Sequence, residues 1–77
     1  MIHLHYFAGL KEAAGKAEED LSWQDGTADD VLQWAKQTYP AFDFTAVQLA
    51  VNEEYVHLDE PVKPGDHVAF IPPVSGG

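Results

Sequence analysis

The chain has no cysteine and no arginine, and its four lysines face thirteen acidic residues for a formal net charge of −9 at pH 7. The missing thiol excludes disulfides, thiolate metal sites and a cysteine nucleophile. The missing arginine removes the planar fork that grips phosphate and carboxylate. With so few cations there is no basic footprint for nucleic acid. An anionic substrate would have to be held by another protein. The acidic surface keeps the chain soluble, and it also suits steering toward a basic partner. No stretch approaches the roughly 20 apolar residues of a membrane span. Met1 to Leu10 lack the basic segment and long apolar run of a signal peptide. The expected location is the cytoplasm, away from membrane. Internal repeats and low-complexity segments are also lacking. Seventy-seven residues make one domain near the lower end of what folds unaided. Such a chain has little room for a buried catalytic centre beside its core, so an enzyme with an independent active site is not expected.

What is present is periodicity. Ile2 to Phe7 alternates, with Ile2, Leu4 and Tyr6 on one face, which predicts a strand. Ala8 to Ala14 predicts a short helix ended by Gly15. Glu18 to Trp23 alternates again, with Leu21 and Trp23 inward, and Asp25-Gly26 turns the chain. Thr27 is an N-cap with Asp30 three residues on, a capping-box pattern. Ala28, Val31, Leu32, Ala35 and Tyr39 then form one helical stripe, with Trp34 off it and Pro40 as the stop. Val47 to Val51 predicts a third strand, Tyr55 to Leu58 a fourth after an Asn52-Glu53 turn, and His67 to Ile71 the closing one. Lys63-Pro64-Gly65-Asp66 fits a type II turn. This order reads as α+β: one main helix and a short first helix on a mixed sheet of about five strands. A β-grasp, the ubiquitin-like roll, meets it. The expected division is a β-grasp domain over 1–71 and a flexible tail over 72–77.

Strand parity separates two faces. Ile2, Leu4, Tyr6, Val56, Leu58, Val68 and Phe70 would face the helix. His3, His5, Phe7, Tyr55, His57, His67, Ala69 and Ile71 would face solvent, yet Phe7, Tyr55 and Ile71 are apolar. Clustered side chains of that kind on a wet face mark a partner surface. The four histidines on it read as polar filling, not a metal site, because a catalytic zinc needs three ligands and an organised surround. Asp29-Asp30 and Glu53-Glu54 are adjacent in sequence, so each pair diverges and reads as caps and turns.

The C-terminal end, Phe70-Ile71-Pro72-Pro73-Val74-Ser75-Gly76-Gly77, carries the chemistry. Pro72-Pro73 cannot continue a ladder and favours an extended segment leaving the body. Gly76 and Gly77 are free of side chains and can thread a narrow slot to present a carboxylate. That carboxylate, with a pKa near ~3.3, is an anion and a poor electrophile until activated, typically as an acyl-adenylate.

The segments "MIHLHYFAGLKEAAG", "LAVNEEYV" and "PGDHVAFIPPVSGG" resemble the MoaD-type sulfur carriers, the small subunits of molybdopterin synthase. The resemblance implies that the C-terminal glycine, Gly77 with Gly76 before it, is adenylated and converted to a thiocarboxylate. A ubiquitin-activating-like adenylyltransferase would use ATP for this, and a sulfur donor protein would follow; the carrier itself would bind no cofactor. It implies that Phe7, Tyr55 and Ile71 contact the large subunit, in a heterotetramer. Pro72, Pro73, Val74 and Ser75 would lie in the inserted tail, which donates sulfur to cyclic pyranopterin monophosphate to form the molybdopterin dithiolene. The same tail would also suit a sulfur carrier for thiamine thiazole synthesis, a ubiquitin-like protein modifier, or a binding module whose tail is incidental.

Overall fold

The alternating segments form five strands and the capped stripe forms the long helix. In chain order these are β1 (Ile2–Tyr6), α1 (Ala8–Ala14), β2 (Glu18–Leu21), α2 (Ala28–Thr38), β3 (Gln48–Val51), β4 (Glu54–Tyr55) and β5 (His67–Ile71). The computed structural model describes residues 1–73. Helix α2 opens on a complete capping box: Thr27 Oγ1 accepts from the Asp30 N–H, and the Thr27 N–H donates to the Asp30 carboxylate at 2.8 Å. Asp29 and Asp30 lie in its first turn, at the positive end of the helix dipole.

The sheet runs β2-β1-β5-β3-β4, with β1 and β5 parallel and the other neighbours antiparallel. With α2 across one face it is a β-grasp. Ile2, Leu4, Tyr6, Val68 and Phe70 project from the central pair into the core, joined by Leu49 and Val51. They meet Ala28, Val31, Leu32 and Ala35 of α2, and all are at most 8% exposed. Trp34 and Tyr39 pack edge-on to each other at the margin of this core, half-buried. No helix among the described residues is long and apolar enough to cross a membrane.

The fourth strand departs from expectation. It covers only Glu54–Tyr55, and Leu58, expected inward, is 46% exposed. Beyond Val56 the chain peels away toward the start of α2. There the Ala28 N–H donates to the Glu60 carbonyl and the Asp29 N–H to the Leu58 carbonyl, both at 2.9 Å. Early helical N–H groups have no intrahelical acceptor, and this segment supplies one. The core position expected of Leu58 is taken instead by Val62, 1% exposed, whose carbonyl accepts from the Trp23 indole N–H at 2.8 Å. Strand β2 likewise ends at Leu21, and Trp23 packs from an irregular segment.

One carboxylate reaches the core margin. Glu19 is the register partner of Leu4 and so shares the inner face. Its Oε1 accepts from the Tyr6 hydroxyl at 2.7 Å and the Tyr39 hydroxyl at 2.6 Å, tying β1, β2 and the end of α2 together. Tyr6 is only 1% exposed, and a buried hydroxyl needs such a partner. Burial works to raise the Glu19 carboxyl. The hydrogen bonds from Tyr39 and Tyr6, with Lys16 nearby, outweigh it and hold the group below its ordinary range. Burial and the Glu19 charge push both tyrosines up.

Leu32→Ala should cost about 2–4 kcal/mol in urea unfolding, a large share of a total near 4–12 kcal/mol. Trp34→Ala should cost less; the reverse order would contradict this placement of α2. The Glu19 carboxyl gives up its proton more readily folded than unfolded. Its contribution is therefore complete above about pH 4.3 and lost as pH falls through the lower folded value. Between about pH 5 and pH 3 the wild type should lose stability more steeply than Glu19→Gln. Parallel pH profiles would remove Glu19 as the linked group.

Candidate partner-binding face

On the face away from α2, the register places four residues in one row across the sheet. His5 pairs with Ala69, Ala69 with Ala50, and Ala50 with Tyr55. The two alanines form a low floor between taller side chains, and a concavity opens over them, lined also by Phe7, His67 and Ile71. Phe7 is 47% and Tyr55 67% exposed, while Ile71 is half-buried. The three apolar residues expected to form a partner surface do surround one depression.

The parallel central pair fixes where the chain leaves it. Tyr6 lies opposite Phe70, so the next residues, Phe7 and Ile71, emerge at the same end of the sheet. Pro72 follows half-buried and Pro73 exposed. The main chain thus departs from the rim of the depression. Val74, Ser75, Gly76 and Gly77, the remaining residues of the expected tail, lie outside the described residues.

The opposite end of the depression is pinned. Asn52 and Glu53 both adopt left-handed backbone, φ 52° and 72°, as a tight primed turn between β3 and β4 requires. Asn52 tolerates this conformation; Glu53 holds it at some strain. The Asn52 side chain accepts from the His67 N–H at 3.0 Å and donates to Asp66 at 3.1 Å. Asp66 also accepts from the Lys63 N–H at 2.9 Å, and its own N–H donates to the Lys63 carbonyl at 3.0 Å, closing the expected turn around Gly65 at φ 93°. The Lys63 N–H and the Asn52 amide hold the Asp66 carboxyl below its ordinary range.

His3, His5 and His67 share this face, their rings stacked at centroid distances of 4.8 Å (His3–His67) and 5.2 Å (His5–His67). His57 does not join them. Strand β4 ends before it, and His57 lines a separate hollow beside α2 with Leu32, Lys36 and Leu58. Sequence reasoning missed Ala50, whose small side chain lowers the floor, and the Asn52–Asp66 clamp. Ala50 was readable from parity, lying out of phase with Leu49 and Val51. The clamp joins two turns distant in sequence and carries no local signal.

With this geometry in place, four likenesses become informative. The ThiS family profile matches residues 4–77. The molybdopterin synthase sulfur carrier subunit of Chlamydomonas reinhardtii is 40% identical over 81 residues, covering 99% of this chain and 98% of the relative. Among solved structures, a putative molybdopterin converting factor, subunit 1, from Pyrococcus furiosus aligns with a TM-score of 0.83 and 31% identity, over 95% of this chain and 97% of that one. The small archaeal modifier protein 1 of Methanosarcina acetivorans aligns with a TM-score of 0.82 and 27% identity, over 99% of this chain and 95% of that one.

Proposed function

The chain belongs to the ThiS family, and on that premise we propose that it is the sulfur-carrier small subunit of molybdopterin synthase, acting in the cytoplasm. The observation that carries this reading is the departure of the C-terminal segment from the rim of the Phe7–Tyr55–Ile71 depression. A partner seated on that depression receives the start of the tail at a fixed place. The named likeness to sulfur carriers supports the same assignment.

The chemistry belongs to the main-chain carboxyl of Gly77. The chain has no thiol on which sulfur could ride. An adenylyltransferase joins the carboxylate to the α-phosphate of ATP, and pyrophosphate leaves. A persulfide on a sulfur donor protein then attacks the acyl carbon and AMP leaves; a second thiol attacks the donor's own sulfur, forming a disulfide with it and breaking the sulfur–sulfur bond, which releases the thiocarboxylate. Glycine leaves that carbon unhindered. Inside the large subunit the thiocarboxylate sulfur bonds to a carbon of cyclic pyranopterin monophosphate, and water then cleaves the acyl–sulfur bond, so the sulfur stays on the substrate and the carrier returns as a carboxylate. The phosphorylated substrate is held by the large subunit, consistent with a carrier that has no arginine.

A second reading, favoured by the likeness to an archaeal modifier protein, is attachment of Gly77 to lysines of other proteins. A carrier for thiamine thiazole synthesis would share the activation steps and differ in the acceptor. Incubation with the activating enzyme, ATP and a sulfur source should replace one oxygen by sulfur at Gly77, read by intact mass. Deleting Gly77 should abolish this without moving the thermal midpoint. Sulfur uptake by the deleted chain at the wild-type rate would overturn the proposal, and accumulated lysine conjugates in cells would favour the modifier reading.

Phe7→Lys and Ile71→Lys place a charge on the depression. Each should keep the fold and weaken binding to the large subunit by about 2–4 kcal/mol, measured calorimetrically. Unchanged affinity in both would place the interface elsewhere.

A further inference from the structure

The histidine pair beside the depression has no part in sulfur transfer, yet its geometry bears on docking. His5 Nε2 and His67 Nδ1 lie 2.9 Å apart across the parallel strands, with ring centroids 5.2 Å apart. The two nitrogens are therefore aimed at each other as one N–H···N hydrogen bond. Such a bond needs a proton on one facing nitrogen and a lone pair on the other. Two neutral rings provide both, and so do one neutral ring and one imidazolium. When both rings are charged, N–H meets N–H and the bond cannot form.

Charged and titratable groups surround the pair. On β1, His3 stacks on His67 at 4.8 Å. On β2, the Glu18 carboxylate lies 3.4 Å from His5 Nδ1, and Asp20 Oδ1 lies 2.7 Å from His3 Nδ1. Glu53 lines the same depression from the β3–β4 turn. Asp66 and Lys63 belong to the turn before β5, with the Asp66 carboxylate close enough to His67 to feel its charge. These carboxylates offset added protons, but they cannot restore the lost lone pair. With both rings charged, like charges face each other without a bond between them, and the rings must separate. His5 and His67 both line the depression, so their separation moves its wall. A partner seated there would also strip water from the two charges, at a further cost.

We infer that the His5–His67 hydrogen bond is an acid-sensitive latch on the docking face: the bonded pair accepts the partner, and charging both rings opens the pair and weakens docking. The latch presupposes that the large subunit docks on the depression. Affinity is then complete above the histidine titration range and is lost as pH falls through it.

Two measurements test the latch. In the isotope-labelled free chain, a nitrogen–nitrogen coupling across the hydrogen bond should join His5 Nε2 to His67 Nδ1 at about pH 8 and vanish on acidification. Its absence at the upper pH would overturn the inference whether or not the partner docks. Affinity for the large subunit is then followed from about pH 8 to about pH 5.5, with each chain normalised to its own value at the upper end. One linked proton changes affinity by at most about tenfold per pH unit, and the wild type should fall at least about threefold further than His67→Gln. His57→Gln, altered in the separate hollow, should follow the wild type. Titration of the large subunit itself is common to all three chains and cancels in the comparison. Parallel profiles for the wild type and His67→Gln would overturn the latch. If Phe7→Lys weakens binding in the same assay, the docking reading survives that failure.

Discussion

The parallel pairing of β1 with β5 is the contact on which the other features depend. It joins the first and last strands in the middle of the sheet, with β2 on one flank and β3 on the other. Parallel neighbours cannot be linked by a tight turn, so the intervening chain must cross over, and here it does so through α2. The same crossover lays the apolar stripe of α2 on Leu4, Tyr6, Val68 and Phe70. Because parallel strands end on the same side, Phe7 and Ile71 meet at one rim, and the tail departs from the sheet's centre. A chain leaving a central strand is held by a ladder on each side. An edge strand would offer only one.

The acidic character of the chain has a local use at the core margin. Tyr6 packs its ring against Tyr39 and Phe70 inside the domain, and its hydroxyl must then find an acceptor near the surface. Glu19 serves Tyr6 and Tyr39 together, so one carboxylate fastens the edge strand β2 to the end of α2. Strand β2 has few other inward anchors, since Leu21 is only half-buried.

Much of this was legible because local signals agreed with the global fold. Period-two alternation located β1 and β5, and the Thr27–Asp30 box located the start of α2. The depression followed from parity alone, since Phe7, Tyr55 and Ile71 break the polar rule of an open face. The errors fall where a distant partner overrode local pattern. Residues 55–58 alternate like a strand, but the unsatisfied N–H groups of Ala28 and Asp29 draw the following backbone toward α2. Leu58 is thereby exposed, Val62 is buried, and His57 leaves the face it shared by parity. The His5–His67 pair was hidden for a related reason: alternation says which face a residue occupies, not which strand lies beside it.

The reach of the tail sets a further limit on the proposed reaction. Six residues, Pro72 to Gly77, follow β5. At no more than about 3.3–3.6 Å per residue they span about 20 Å when fully extended. A partner that seats its own apolar surface on the depression must therefore hold its reactive centre within about 20 Å of Ile71. Consecutive prolines favour the extended form over a coil, so the Pro72-Pro73 part of that length is available as depth. A docking error at the depression then carries along the tail to the acyl carbon. In the proposed reaction, a floor of two alanines held between an anchored turn and a central strand would limit that error.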